Sequence, residues 1–148
     1  MAGITLLSLG FGSCIITERD KLRIVQEHVA KFVERYSDAE PDESDPAPST
    51  PLDQLQFIVV CDFLPLDASI SSDPRARRIR MDEFEALRDK LGYDRTRYLV
   101  LELKQSTSFS ATFEVSHLSG DQAGGGHIEI VRKFLFRFST EYGDAWAS

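Results

Sequence analysis

Hydrophobic positions along this chain follow two periods. From residue 18 to 36, Leu22, Val25, Val29, Phe32, Val33 and Tyr36 recur at spacings of three and four, with Arg23, Gln26, Glu27, Lys31, Glu34 and Arg35 mostly between them. At 3.6 residues per turn these apolar side chains share one face, so the segment reads as an amphipathic helix. Thr17 and Asp20 stand at the spacing of a capping box, with Asp where Glu or Gln is usual, and set its start. A second, shorter helix is predicted from Asp82 and Glu85 as a capping pair, Phe84, Leu87 and Leu91 on one face, and Gly92 placed to end it.

Elsewhere the period is two, or the apolar run is continuous. Residues 55–64 (LQFIVVCDFL) are nearly all apolar and rich in β-branched side chains, as in a strand covered on both faces at the centre of a sheet. Residues 98–103 form a further apolar strand. Phe109, Ala111, Phe113 and Val115 then alternate with Ser110, Thr112, Glu114 and Ser116, the pattern of a half-exposed strand. Beyond a glycine-rich turn at 120–126, Ile128, Ile130, Phe134, Phe136 and Phe138 continue the alternation with one slip near Val131 and Arg132. The slip predicts a β-bulge in a strand, with a helix over 131–138 as the alternative. Residues 4–9 predict a first strand broken by Gly10 and Gly12, and residues 65–80 read as a loop. The expected fold is one α+β domain over residues 1–148, a mainly antiparallel sheet of about five strands backed by two helices.

Residues 37–54 break both periods. Pro41, Pro46, Pro48 and Pro51 stand among acids and hydroxyl residues with little to bury, so the segment is expected to be a flexible acidic linker inside the domain. It changes how the net charge of −7 is read: Asp38, Glu40, Asp42, Glu43, Asp45 and Asp53 are six of 24 acids, and without them 18 acids face 17 bases. The body is close to neutral, and the low pI belongs to the linker.

Cys14 and Cys61 are too few for a disulfide framework and lack the spacing of a zinc site, so both are expected as reduced, mostly buried thiols, with a bridge between them as the alternative. The apolar run 4–16 has no basic residue before it, and it is shorter than the roughly 20 residues a membrane helix needs. It reads as a strand and turn, with an export or lipoprotein signal ending near Cys14 as the alternative. The expected protein has no membrane span and is intracellular, most simply cytoplasmic.

Five arrangements of residues are candidates for chemistry. Gly10 and Gly12 ahead of a helix, with Asp62 ending a later strand, resemble part of a dinucleotide site. Ile15 stands at the third glycine position, however, and Asp62 comes about 50 residues on rather than about 20. His117 and His127 flank a loop and, with Asp121 or Glu129, form a candidate metal or acid/base pair, His28 being read as unrelated on the first helix. No G-x-S-x-G motif is present, Cys14 has no local base, and Asp62, Glu102 and Glu114 are ordinary strand-side carboxylates. Arg75, Arg77, Arg78 and Arg80 concentrate planar donor forks suited to phosphate in a chain with 12 arginines and five lysines, and Lys104, Arg132, Lys133 and Arg137 extend the patch if their strands lie near. Phe134, Phe136 and Phe138 read as one face of a core; if the second sheet face is uncovered, that stripe and the tail with Tyr142 and Trp146 dock a partner instead, with Phe138, Tyr142 and Trp146 the candidates for partner binding.

No catalytic residue, metal site or cofactor is therefore assigned, and the expectation leans away from an enzyme. The expected function is a small non-catalytic interaction or regulatory protein acting through the acidic linker and the aromatic tail. Its partner would be another protein or a second copy of the chain. The alternative is a nucleic-acid- or phosphate-binding accessory protein using the four arginines, and an enzyme or small-ligand pocket protein comes third.

Overall fold

The computed structural model describes residues 14–37, 56–87, 96–119 and 125–144. Helix α1 (Glu18–Ser37) leads into β1 (Gln56–Val60), β2 (Ala76–Ile79), helix α2 (Met81–Leu87), β3 (Thr96–Ser106), β4 (Ser110–Ser119), β5 (Gly126–Phe134) and β6 (Arg137–Tyr142). The fold is α+β with one six-stranded mixed sheet in the order β2-β1-β3-β4-β5-β6. Pairings β1–β2 and β1–β3 are parallel, and β3 through β6 form an antiparallel meander.

The start of α1 is as the sequence predicts. The Thr17 amide donates to the Asp20 carboxylate at 2.8 Å, and the Asp20 amide donates back to the Thr17 hydroxyl at 3.2 Å. Each satisfies a donor that the first helical turn leaves unpaired. Val25, Val29 and Phe32 are buried against Phe57, Val59, Leu99, Leu101, Phe113, Val115 and Val131, forming the main core on one sheet face. Phe32 sets its ring edge-on to Phe57 at 5.6 Å and to Tyr36 at 5.2 Å.

A smaller core lies on the other face, where Phe84 and Met81 of α2 meet Ile58, Val60, Ile79, Tyr98 and Val100. Strand β1 is thus covered on both faces, as its composition predicts, but it lies second from one edge rather than at the centre. Asp62, just past β1, accepts from the Met81 amide at 3.0 Å. Helix α2 therefore begins one residue before the expected Asp82 and takes its cap from another segment.

Two further corrections concern strands. Within the expected loop 65–80, residues 76–79 form β2, and the parallel partner it gives β1 makes the sheet mixed. The β1–β2 crossover passes over the α1 face, placing Leu64 and Ile70 in the main core, whereas the β2–β3 crossover carries α2 over the other face. Direction across the sheet and choice of face both reverse, so the two crossovers share one hand. The expected single strand 128–138 is two strands joined at Leu135 and Phe136. No bulge falls at Val131; the register shift is in β3, between Leu103 and Gln105. The linker 37–54, apart from Ser37, Gly120, Trp146, Leu91, Gly92 and the strand expected at 4–9 lie outside the described residues.

Candidate functional site

The four arginines are not gathered on one free loop. The Arg75 guanidinium donates to both Asp73 carboxylate oxygens at 3.1 and 2.8 Å and lies over the Phe57 ring at 5.3 Å. Arg78 donates to the carbonyls of Cys61, Leu64 and Pro65 at 2.9, 2.6 and 2.6 Å, pinning the β1–β2 crossover. Those two side chains serve the fold. Arg77 and Arg80 are exposed, with Asp82 beside Arg80 at 3.5 Å.

All three histidines converge beneath α1. Glu129, only 5% exposed, points from β5 toward the helix. One of its oxygens lies 2.8 Å from His28 Nε2 on α1, and the other lies 2.6 Å from His127 Nε2 on its own strand. An ionised carboxylate only accepts, so both imidazoles donate from Nε2. Burial pushes the Glu129 carboxyl up, but the bonds from His28 and His127 outweigh it and hold the group below its ordinary value. His117, on β4, packs its ring 5.6 Å from Phe32. Burial foremost, then the charge of Arg35, holds its imidazole below the ordinary value.

A cleft of about 80 Å³ opens beside this group, lined by Arg23, His28 and Lys31 from α1 and by Glu129, Phe138 and Tyr142 from β5 and β6. Each Glu129 oxygen accepts from one imidazole, so the carboxylate joins helix and strand through two hydrogen bonds. Among the described residues, no three His, Cys, Asp or Glu side chains are grouped to hold a metal ion. The arrangement anchors α1 to β5. His28 is part of this cluster rather than unrelated to it; the sequence signal is its place within the apolar stripe, three residues after Val25 and four before Phe32.

Cys14 and Cys61 are unbridged. Burial pushes the Cys61 thiol up to about 11, which leaves it protonated and unreactive near neutral pH.

The aromatic strand end divides in three. Phe138 turns inward onto the main core, beneath the Arg23 guanidinium at 4.8 Å. Tyr142 is 70% exposed, with its ring 5.7 Å from that of His127. Phe134, Leu135 and Phe136, expected as strand, instead form the end of the β5–β6 hairpin and are 72%, 46% and 84% exposed. The closing pair is Phe134 with Arg137, so the turn has two residues, and Leu135 adopts φ 55°. Two-residue hairpin turns usually place Gly, Asn or Asp at positive φ, because a β-carbon there costs about 1–2 kcal/mol.

Backbone contacts draw two more exposed residues to this end. Lys133 donates through its amide to the Phe109 carbonyl at 3.1 Å, and through Nζ to the Ile15 carbonyl at 3.0 Å and to Asp20 at 2.8 Å. The Leu135 amide donates to Cys14 Sγ at 3.4 Å. Phe109 and Ile15 are 53% and 41% exposed, so five of the seven large exposed apolar side chains among the described residues belong to this end. Scattered single apolar residues are ordinary on a surface; a group is not.

Comparison with protein-family models, with curated proteins and with solved structures returned no match to this chain. Among the described residues, no helix is long and apolar enough to cross a membrane.

Proposed function

We propose that this chain is a non-catalytic interaction protein whose contact surface is the apolar end built by the β5–β6 hairpin, with Phe109 and Ile15 beside it. The observation that carries this reading is the run Phe134, Leu135 and Phe136, exposed over a turn whose first residue has positive φ. Folding stability alone would favour glycine or asparagine at that turn and polar side chains around it. Large apolar groups kept there are best accounted for by what they touch in a complex. The histidine-bridged Glu129 supports the surface from behind by fixing β5 to α1, and Lys133 ties the hairpin to the capping Asp20.

The test is site-specific photo-cross-linking in cell extract, with a photoreactive residue at Phe136 or, as a control, at the exposed Glu34 near the other end of α1. Adducts specific to position 136, and absent when Phe134 is serine, are expected. Indistinguishable adducts from both positions would sink the reading.

A further inference from the structure

We propose that the hairpin end docks peripherally on the surface of a lipid bilayer that carries anionic headgroups. This rests on the reading of that end as the contact surface and adds the chemical kind of partner.

The order of side chains along the hairpin carries the inference. Phe134, Leu135 and Phe136 occupy the extremity, and Arg132 and Lys133 on one strand and Arg137 on the other stand directly behind them. At about 3.3 Å per strand residue, the cationic side chains are rooted roughly 3–7 Å behind the apolar ones. Apolar groups of interfacial proteins sink about 5–10 Å into the headgroup and acyl boundary, while basic groups remain at phosphate level. The spacing on this hairpin matches that layering from both strands at once.

Charge points the same way. Arg132 is met by Glu141 at 2.6 Å and Lys133 by Asp20 at 2.8 Å, and no acidic side chain among the described residues pairs with the exposed Arg137. Lys133 is largely buried in its pair, so Arg137, with the exposed Arg132–Glu141 pair across the hairpin, is the cation left to meet phosphate at the base of the apolar extremity, in a chain whose overall charge is −7. The extremity is convex, a two-residue turn, and its aromatic members are phenylalanines with no polar atom to orient in a matching socket. A fluid interface accommodates such a shape without a preformed groove. Phe109 and Ile15, on the neighbouring segments, widen the apolar footprint.

The test is co-sedimentation of the full chain with vesicles of phosphatidylcholine alone and of phosphatidylcholine mixed with phosphatidylserine. Salt-sensitive binding to the mixed vesicles is expected. The double substitution Phe134→Ser with Phe136→Ser should lower partition by about a hundredfold, from the apolar area withdrawn from the interface. Its circular dichroism and melting should match the parent, because both side chains are exposed. Arg137→Ala should weaken binding to the mixed vesicles about fivefold and leave phosphatidylcholine vesicles unaffected. Absence of binding to either vesicle, or equal binding by the double serine variant, overturns the bilayer proposal. If vesicles fail while position 136 still cross-links specifically to a protein, the bilayer is the wrong partner and the contact surface stands. If both fail, both readings fall.

Discussion

The two halves of the sheet solve burial differently. Strands β2, β1 and β3 are parallel and carry a core on each face, α1 with the crossover on one side and α2 on the other. The half formed by β4, β5 and β6 is antiparallel and packs one face against α1 and Phe63 of the crossover, and much of its other face carries charge: Lys104 of β3 reaches Glu114 of β4 at 2.8 Å, and Arg132 meets Glu141. Parallel sheets need cover on both faces, whereas an antiparallel ribbon tolerates solvent on one. The open half is thereby free to leave apolar side chains exposed, and the hairpin end is where they gather.

The largest expected contrast comes from making one truncation in both halves. Ile58→Ala, at a position 2% exposed on the covered half, should cost about 2–5 kcal/mol in urea denaturation. Ile130→Ala, half-buried on the outer face of β5, should cost about 1 kcal/mol. Equal losses would mean that the outer face of the meander is not open.

Acid should act next, through the cluster beneath α1. Glu129 lies below its ordinary 4.5 in the folded state, so its stabilisation is complete above that value and is lost as pH falls through the lower folded one. His117 lies below its ordinary 6.5, so its neutral form contributes fully above 6.5 and the contribution declines as pH falls further. Melting curves between pH 3 and 7 should show both windows in the parent. Glu129→Gln should remove the lower one, at the cost of a buried charge-assisted network of about 1–3 kcal/mol, and His117→Phe the upper one. A profile unchanged by either substitution would show that the cluster does not govern acid stability.

The smallest effect has the opposite sign. Leu135→Gly relieves the positive φ and should raise stability by about 0.5–1 kcal/mol, read as a shift in the urea midpoint, while weakening whatever contact the hairpin makes. A loss of stability would show that Leu135 is held by packing rather than strained by its turn.

How far the chain could be read from its sequence follows the same division. Helix α1 and its cap were legible because the apolar stripe and the Thr17–Asp20 pair report the same boundary. Strand β4 was legible because apolar and polar positions alternate between its two faces, and β3 because its apolar run 98–101 is buried on both. Strand β2 was not, since Ile79 is its only buried side chain and backbone pairing with β1 holds the rest. Nor was the β5–β6 turn, because Leu135 and Phe136 carry none of the residues that normally mark positive φ. The apparent slip at Val131 came from chemistry on the core side: His127 and Glu129 face α1 where apolar residues are expected, while Ile128 and Ile130 face away. One polar cluster both hid the register of β5 and formed the group that neither helix nor strand periodicity could assemble alone.

That convergence has a practical side. The chain contains three histidines, and all of them lie in this one cluster, none on a remote surface. Every imidazole resonance in an NMR spectrum therefore reports the α1–β5 junction without site-specific labelling. Resonance shifts on adding vesicles or a protein partner would measure, from inside the molecule, how far contact at the hairpin is transmitted to the helix that supports it.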